Sequence, residues 1–250
     1  MLTEEIISTK LNSTYDRLQE AHWNIHHMEQ YYHEADLFRY SLNSFLRVLK
    51  EVSQIMQMEL QNEKGFTIWF REKRKILTQD PLINDLFKKR DIVVHQVMLK
   101  PNSSAQLGIT RGRRLKLGMT FPLNPLEDSD VAIIKYLKVT KESGFDLFGL
   151  LIDDDDTIPC VERHWRLEPF DEEVITLCVS AWEKVNKLFN ETIEWLGGES
   201  IPEQLKCVHN SDRISMRLYS RKWLRDIMNS LEDKSPVELL NELQLMRNKK

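Results

Sequence analysis

Arg90 and His95 are the side chains whose types and spacing best suit chemistry in this sequence. A guanidinium keeps its proton at ordinary pH and offers a planar fork of donors that fits two phosphate oxygens. An unperturbed imidazole titrates at about pH 6.5, so it can take up a proton and return it within one reaction cycle. Around a phosphodiester, the pair suits RNA in particular. There the 2′-hydroxyl beside the scissile phosphate is a built-in nucleophile. Three tasks remain: removing its proton, stabilising the added negative charge and helping the 5′-oxygen leave. His95 is the candidate base or acid, an effect worth roughly 10²- to 10⁴-fold. Arg90 is the candidate stabiliser of the phosphorane oxygens, on the order of 3 kcal/mol by analogy with an oxyanion donor. Asp91 stands one helical turn before His95, where its carboxylate can reach the imidazole, orient its tautomer and favour its charged form.

The element that must carry these residues is a helix over 80–100. Asp80 followed by Pro81 is a helix start, because the carboxylate accepts from free N–H groups and Pro at the first position gives up no bond. Pro101 marks its end. Ile83, Leu86, Phe87, Val94 and Val97 recur at helical spacing and define one apolar stripe in which Arg90 also falls. In an apolar seam a guanidinium needs an anion, a partner chain or a wet cavity. Arg90 and His95 differ by about 140° around the axis and about 7.5 Å along it, so they do not easily touch within one helix. A two-fold dimer that lays a second copy of the helix alongside would bring two Arg and two His around one cavity.

Arg90-Asp91-Ile92-Val93-Val94-His95 resembles the R-x(4–6)-H motif of the HEPN superfamily, including the polar residue that commonly follows its Arg. Around it, Phe38-Arg39-Tyr40-Ser41-Leu42-Asn43-Ser44-Phe45-Leu46 resembles the family's earlier core helix. A short Trp-containing helix (66–70) and the lead-in from Asp80 to Phe87 follow in the family's order. The resemblance covers about residues 10–100 and 165–197. It implies a mainly α, HEPN-like helical bundle and a ribonuclease site shared by two protomers. It further implies a 2′,3′-cyclic phosphate product and no metal or other cofactor. Arg90, Asp91 and His95 take the catalytic positions. RNA and a second copy of the chain are the implied partners, with an antitoxin or regulatory protein as a further one. A toxin or antiphage role is common in the family. Members regulated by nucleotidylation carry a Tyr two residues after the His, and Val97 stands there in this sequence. That regulation is therefore not expected. The family also has inactive members, so the alternative is a non-catalytic RNA- or protein-binding module with Arg90 in a structural ion pair.

Composition sets the frame. With 250 residues, 41% hydrophobic and 30% charged, and only 8 Gly and 8 Pro, the chain reads as a helix-rich globular protein with a real core. A net charge of −4 argues against a wholly basic nucleic-acid binder but allows a local basic groove. Lys88 and Lys89 beside Arg90, and the basic turn of Arg111, Arg113 and Arg114, are the candidate RNA contacts. Arg71, Lys73, Arg74 and Lys75 add a further basic run. Three scattered Cys (Cys160, Cys178, Cys207) without metal-ligand spacing suggest buried thiols in a reducing cytoplasm. No apolar run approaches the ~18 residues of a spanning helix, and no signal peptide is expected.

Along the chain, Thr3 reads as a cap to a first helix with Ile7, Leu11, Leu18, Ala21, Ile25 and Met28 on one face. A long central helix over 35–61 places Phe38, Leu42, Phe45, Leu49, Val52 and Met56 together, and Gly65 reads as a stop. A helix over 67–77 precedes the Arg90 helix. From 101 to 168 the periodicity weakens. Strands are expected over 115–121, 148–152 and 160–167, and 131–141 is ambiguous. This reads as a small β-containing insertion, too short to hold much core of its own. A helix from Asp171 to the Gly197-Gly198 pair returns to complete a bundle over 1–197. Residues 198–250 form a helical C-terminal extension, with helices from Ser220 and from Ser235-Pro236. His22, His26, His27 and His33 lack an H-E-x-x-H pattern or a completing ligand, and Asp153–Asp156 lacks EF-hand spacing. Neither run is read as a metal site.

Overall fold

The computed structural model describes residues 3–95, 98–99, 101–111, 114–143, 158–201, 214–230 and 238. The chain is mainly α with one small antiparallel sheet. Its elements are α1 (Thr3–Lys10), α2 (Asn12–Gln30), α3 (Ala35–Leu60), α4 (Phe66–Gln79), α5 (Pro81–His95), β1 (Asn102–Arg111), β2 (Arg114–Pro122), α6 (Ser129–Ser143), β3 (Ile158–Arg166), α7 (Val174–Trp195), β4 (Met216–Leu218) and α8 (Arg221–Ser230). No described helix is long and apolar enough to cross a membrane.

Contacts divide the chain into two compact units. The first holds Met1–Gln30, Leu37–Lys100 and Glu172–His209, and the second holds Tyr31–Asp36, Pro101–Asp171 and Asn210–Lys250. The expected grouping set 198–250 apart and left 101–168 dependent on the bundle. In the structure the stretch from 101 gains its own core because C-terminal residues join it. Tyr219, Leu224 and Ile227 pack with Ala105, Leu107 and Ile109 of β1, Val161 of β3 and Ile133 and Leu137 of α6.

The helical unit is organised on α3. Phe38, Leu42, Phe45, Leu49, Val52 and Met56 are all fully buried, as the alternating spacing of four and three requires for a helix covered along one side. Leu18, Ala21, Ile25 and Met28 of α2, with Cys178, Ala181, Trp182, Val185 and Phe189 of α7, are fully buried in the same unit. The indole of Trp182 donates to the Leu18 carbonyl at 2.9 Å, which satisfies the one polar atom of a large buried ring.

Several local expectations are corrected. The first helix is two helices, α1 and α2, broken at Leu11, with Ile6 rather than Ile7 buried. Thr3 lies inside α1, and its hydroxyl donates to the Glu199 carbonyl at 2.9 Å and accepts from the Glu199 N–H at 3.1 Å. Gly65 does not end α3. It precedes α4 with φ of 87°, a left-handed conformation that glycine adopts without a Cβ clash. In the sheet unit, 131–141 lies within helix α6. The strand order is β2-β1-β3-β4, so one of the two inner strands, β1, is one the composition did not announce. The strands expected over 115–121 and 160–167 correspond to β2 and β3, whereas 148–152 and, apart from Glu238, the helix expected from Ser235 lie outside the described residues.

Candidate active site

Helix α5 starts where its sequence says it should. Asp80 Oδ1 accepts from the N–H groups of Leu82 at 3.0 Å and Ile83 at 3.2 Å, closing two of the free donors of the first turn. Ile83, Leu86 and Phe87 are buried and anchor this first half. The stripe does not continue as expected. Val94 is 41% exposed, and Ile92 and Met98 are 37% exposed, so the second half of the helix and the segment after it present apolar side chains outward. Val97 lies outside the described residues.

Arg90 sits at the change-over between these halves. Its side chain is 16% exposed and Nη1 donates to Asp91 Oδ1 at 3.2 Å. The Nε atom is buried without a hydrogen-bond partner among the described residues. Asp91 is held in turn by Lys50 of α3, whose ammonium donates to Oδ1 at 2.7 Å and Oδ2 at 2.8 Å. That ammonium lies 5.7 Å from the centre of the Phe87 ring, so its position is set by α5 on two sides. The Lys50 hydrogen bonds, seconded by Arg90, hold the Asp91 carboxyl below its usual range.

The expected contact between Asp91 and His95 is replaced by this network. Both carboxylate oxygens face Lys50, while His95 is exposed and has no hydrogen-bond or ion-pair partner among the described residues. Asp91 therefore orients the guanidinium rather than the imidazole. The segment that follows α5 is tied back to α3 by buried Asn43. Its amide accepts from the Leu99 N–H at 3.0 Å and donates to the Leu99 carbonyl at 3.4 Å. Neither Lys50 nor Asn43 carries a local sequence signal for this role, because each partner stands more than forty residues away.

The other candidates are dispersed. Lys88 is exposed, whereas Lys89 is paired with Asp85 at 2.7 Å, which offsets its charge. Arg111 is exposed at the end of β1 and pairs in register with Arg114 of β2. Arg113 and the side chain of Arg114 lie outside the described residues. Lys88 and Lys89 belong to the helical unit and Arg111 to the sheet unit. His22 and His26 approach to 3.2 Å between their Nε2 atoms, and His26 Nδ1 lies 2.6 Å from Glu29. No group of three or more His, Cys, Asp or Glu is placed to hold a metal among the described residues. His33 is instead a structural link of the sheet unit, with Nδ1 at 2.8 Å from the Ser129 hydroxyl and Nε2 donating to the Ile214 carbonyl at 2.9 Å. The Asp153–Asp156 run and Cys207 lie outside the described residues.

A family model described as bacteriophage lambda protein ea47 matches residues 9–211, about four-fifths of the chain. The chain belongs to this family. The ea47 match takes in α3 and α5 together, and with them Asn43, Lys50, Arg90, Asp91 and His95. No curated protein and no solved structure matches the chain.

Proposed function

We propose that this protein is a HEPN-type endoribonuclease that cuts RNA without a metal, through Arg90 and His95 brought together by pairing of two copies. The observation that carries this reading is the fixed guanidinium of Arg90. It is oriented by Asp91, which Lys50 clamps in place, and its Nε has no partner among the described residues. A buried donor that the described residues leave open can meet a phosphate oxygen. The exposed imidazole one and a half turns later supplies the proton chemistry. Ile92 and Val94, about 160° apart around the axis, and Met98 beyond the helix are exposed apolar side chains at this helix end, and a second copy would cover part of them.

In this mechanism one protomer's His95 removes the proton from the 2′-hydroxyl. The 2′-oxygen then attacks phosphorus, and the bond from phosphorus to the 5′-oxygen breaks. The partner's His95 returns a proton to the leaving oxygen, and the product is a 2′,3′-cyclic phosphate. Arg90 donates to the equatorial oxygens as charge builds on them. The biological setting that fits is phage–host conflict, with the protein acting in the cytoplasm as a toxin or antiphage effector under an antitoxin or regulatory protein. A family described by a bacteriophage protein accords with that setting. The second reading is a non-catalytic RNA- or protein-binding module, and the ion pair of Arg90 with Asp91 favours it. The deciding experiment incubates purified protein with mixed RNA in EDTA. Wild type should cut, and Arg90→Ala and His95→Ala should each lose at least roughly 10²-fold. Equal cutting by all three would remove both residues from the mechanism.

A further inference from the structure

Two grooves flank α4, and their charges differ. One, of about 340 Å³ between α4 and α7, is lined by Lys73, Lys184 and Lys187 together with Asp80 and Glu191. Its charges are largely matched, since Lys73 pairs with Glu191 at 2.8 Å and Lys184 pairs with Asp80. The other, of about 450 Å³ between α3 and α4, is lined by Arg71, Arg74 and Lys75 with Gln57, Phe70 and Thr78, with no carboxylate among its described lining residues. Glu72 lies 3.6 Å from Arg71, but both side chains are mostly exposed, at 62% and 73%, where water weakens the pairing. Arg74 donates to Gln57 Oε1 at 3.2 Å, which leaves the Gln57 amide group as a donor and fixes one guanidinium on the groove wall.

Positions 71, 74, 75 and 78 share one face of α4, so the cations form a stripe rather than a ring around the helix. From Arg71 to Lys75 the cations run about 6 Å along the axis. That length and charge fit consecutive phosphates of an extended strand. The geometry points to this groove as a binding site for the phosphodiester backbone of single-stranded RNA, separate from the Arg90 cluster and reading no bases. The choice of RNA among polyanions rests on the ribonuclease reading, while the groove itself is built from residues that reading does not use.

The test measures binding of a fluorescein-labelled 12-nucleotide oligouridine by anisotropy from 50 to 200 mM KCl. The His95→Ala protein is compared with the same protein carrying Arg71→Gln and Lys75→Gln, and with one carrying Arg74→Gln as well. Each lost contact should flatten the slope of log affinity against log salt by about 0.7, so the triple variant differs by about 2. Across that fourfold salt range the parent should lose roughly 20-fold more affinity than the triple variant. The double variant keeps the Arg74–Gln57 bond, and it should lose two-thirds of the effect with an unchanged circular dichroism melt. Unchanged slopes in both variants would overturn the proposal. So would displacement of the oligonucleotide by an equal phosphate concentration of inorganic tripolyphosphate, which would mark a site for a small anion instead. Wild-type cleavage is scored separately. Failure to cut RNA sinks the ribonuclease reading, and unchanged salt slopes sink the groove.

Discussion

The ammonium of Lys50 on α3 reaches both carboxylate oxygens of Asp91 on α5, at 2.7 and 2.8 Å, across 41 residues of sequence. Because Asp91 also receives Arg90, the lysine fixes the guanidinium at second hand. Lys50→Met keeps the length of the stem and removes the charge. It should leave the fold intact while lowering cleavage about tenfold, in kcat more than KM, since an orienting group acts where the transition state is held.

The same pair has a pH signature. The Asp91 carboxyl is held low in the folded state, chiefly by Lys50, so its contribution to stability is present above the unfolded value of about 3.9. It is lost as pH falls further. Wild type should therefore lose stability more steeply than Lys50→Met below about pH 4. Urea midpoints at half-unit steps from pH 5 to 2.5 check this, and parallel curves would contradict it.

Asn43 tests how the exit from the motif helix is held. Asn43→Leu removes both bonds to Leu99 and leaves a backbone N–H and carbonyl without partners in a part-buried place. The expected cost is about 1–3 kcal/mol in chemical denaturation. Hydrogen exchange should also rise at Leu99 more than in α7.

His33 also costs stability on acidification, but through burial of a neutral ring rather than loss of an ion pair. Burial, with Arg217 and Arg163 near by, lowers its pKa to about 3, so the folded state keeps it neutral while the unfolded chain takes up a proton at about pH 6.5. Stability should fall as pH drops from about 6.5 towards 3, and His33→Gln should flatten that decline. Thermal melts in a series of buffers over this range read the difference.

Burial raises the thiol of Cys160 to about 12 and that of Cys178 well above its ordinary value. Both side chains are fully buried. Neither should react with a disulfide reagent in the native state at pH 8, and both should react after unfolding in guanidinium. Mass mapping of the modified cysteines distinguishes them from Cys207.

Local rules were enough wherever an element's character depends on neighbours in sequence. The Asp80-Pro81 start of α5, the buried face of α3 and the strands β2 and β3 follow from capping chemistry, a 3.6-residue period and β-favouring runs. Three features follow different rules. β1, which opens on Asn102, Ser103 and Ser104, is a strand because β2 and β3 bond to its two edges. The stretch 131–141 is helical where Ala132, Ile133 and Leu137 pack against that sheet. The second half of α5 turns apolar side chains outward because the anchoring ends at Phe87.

The amino-acid order by itself determined which chemical groups α5 offers, since guanidinium, imidazole and carboxylate are fixed by residue type and their helical spacing by the period of the helix. What each charged group faces was decided by the tertiary structure alone. Asp91 turned from His95 to Lys50 because an ammonium from another helix, resting on the Phe87 ring, offers its carboxylate two short charge-assisted bonds. No pattern within one helix contains that lysine.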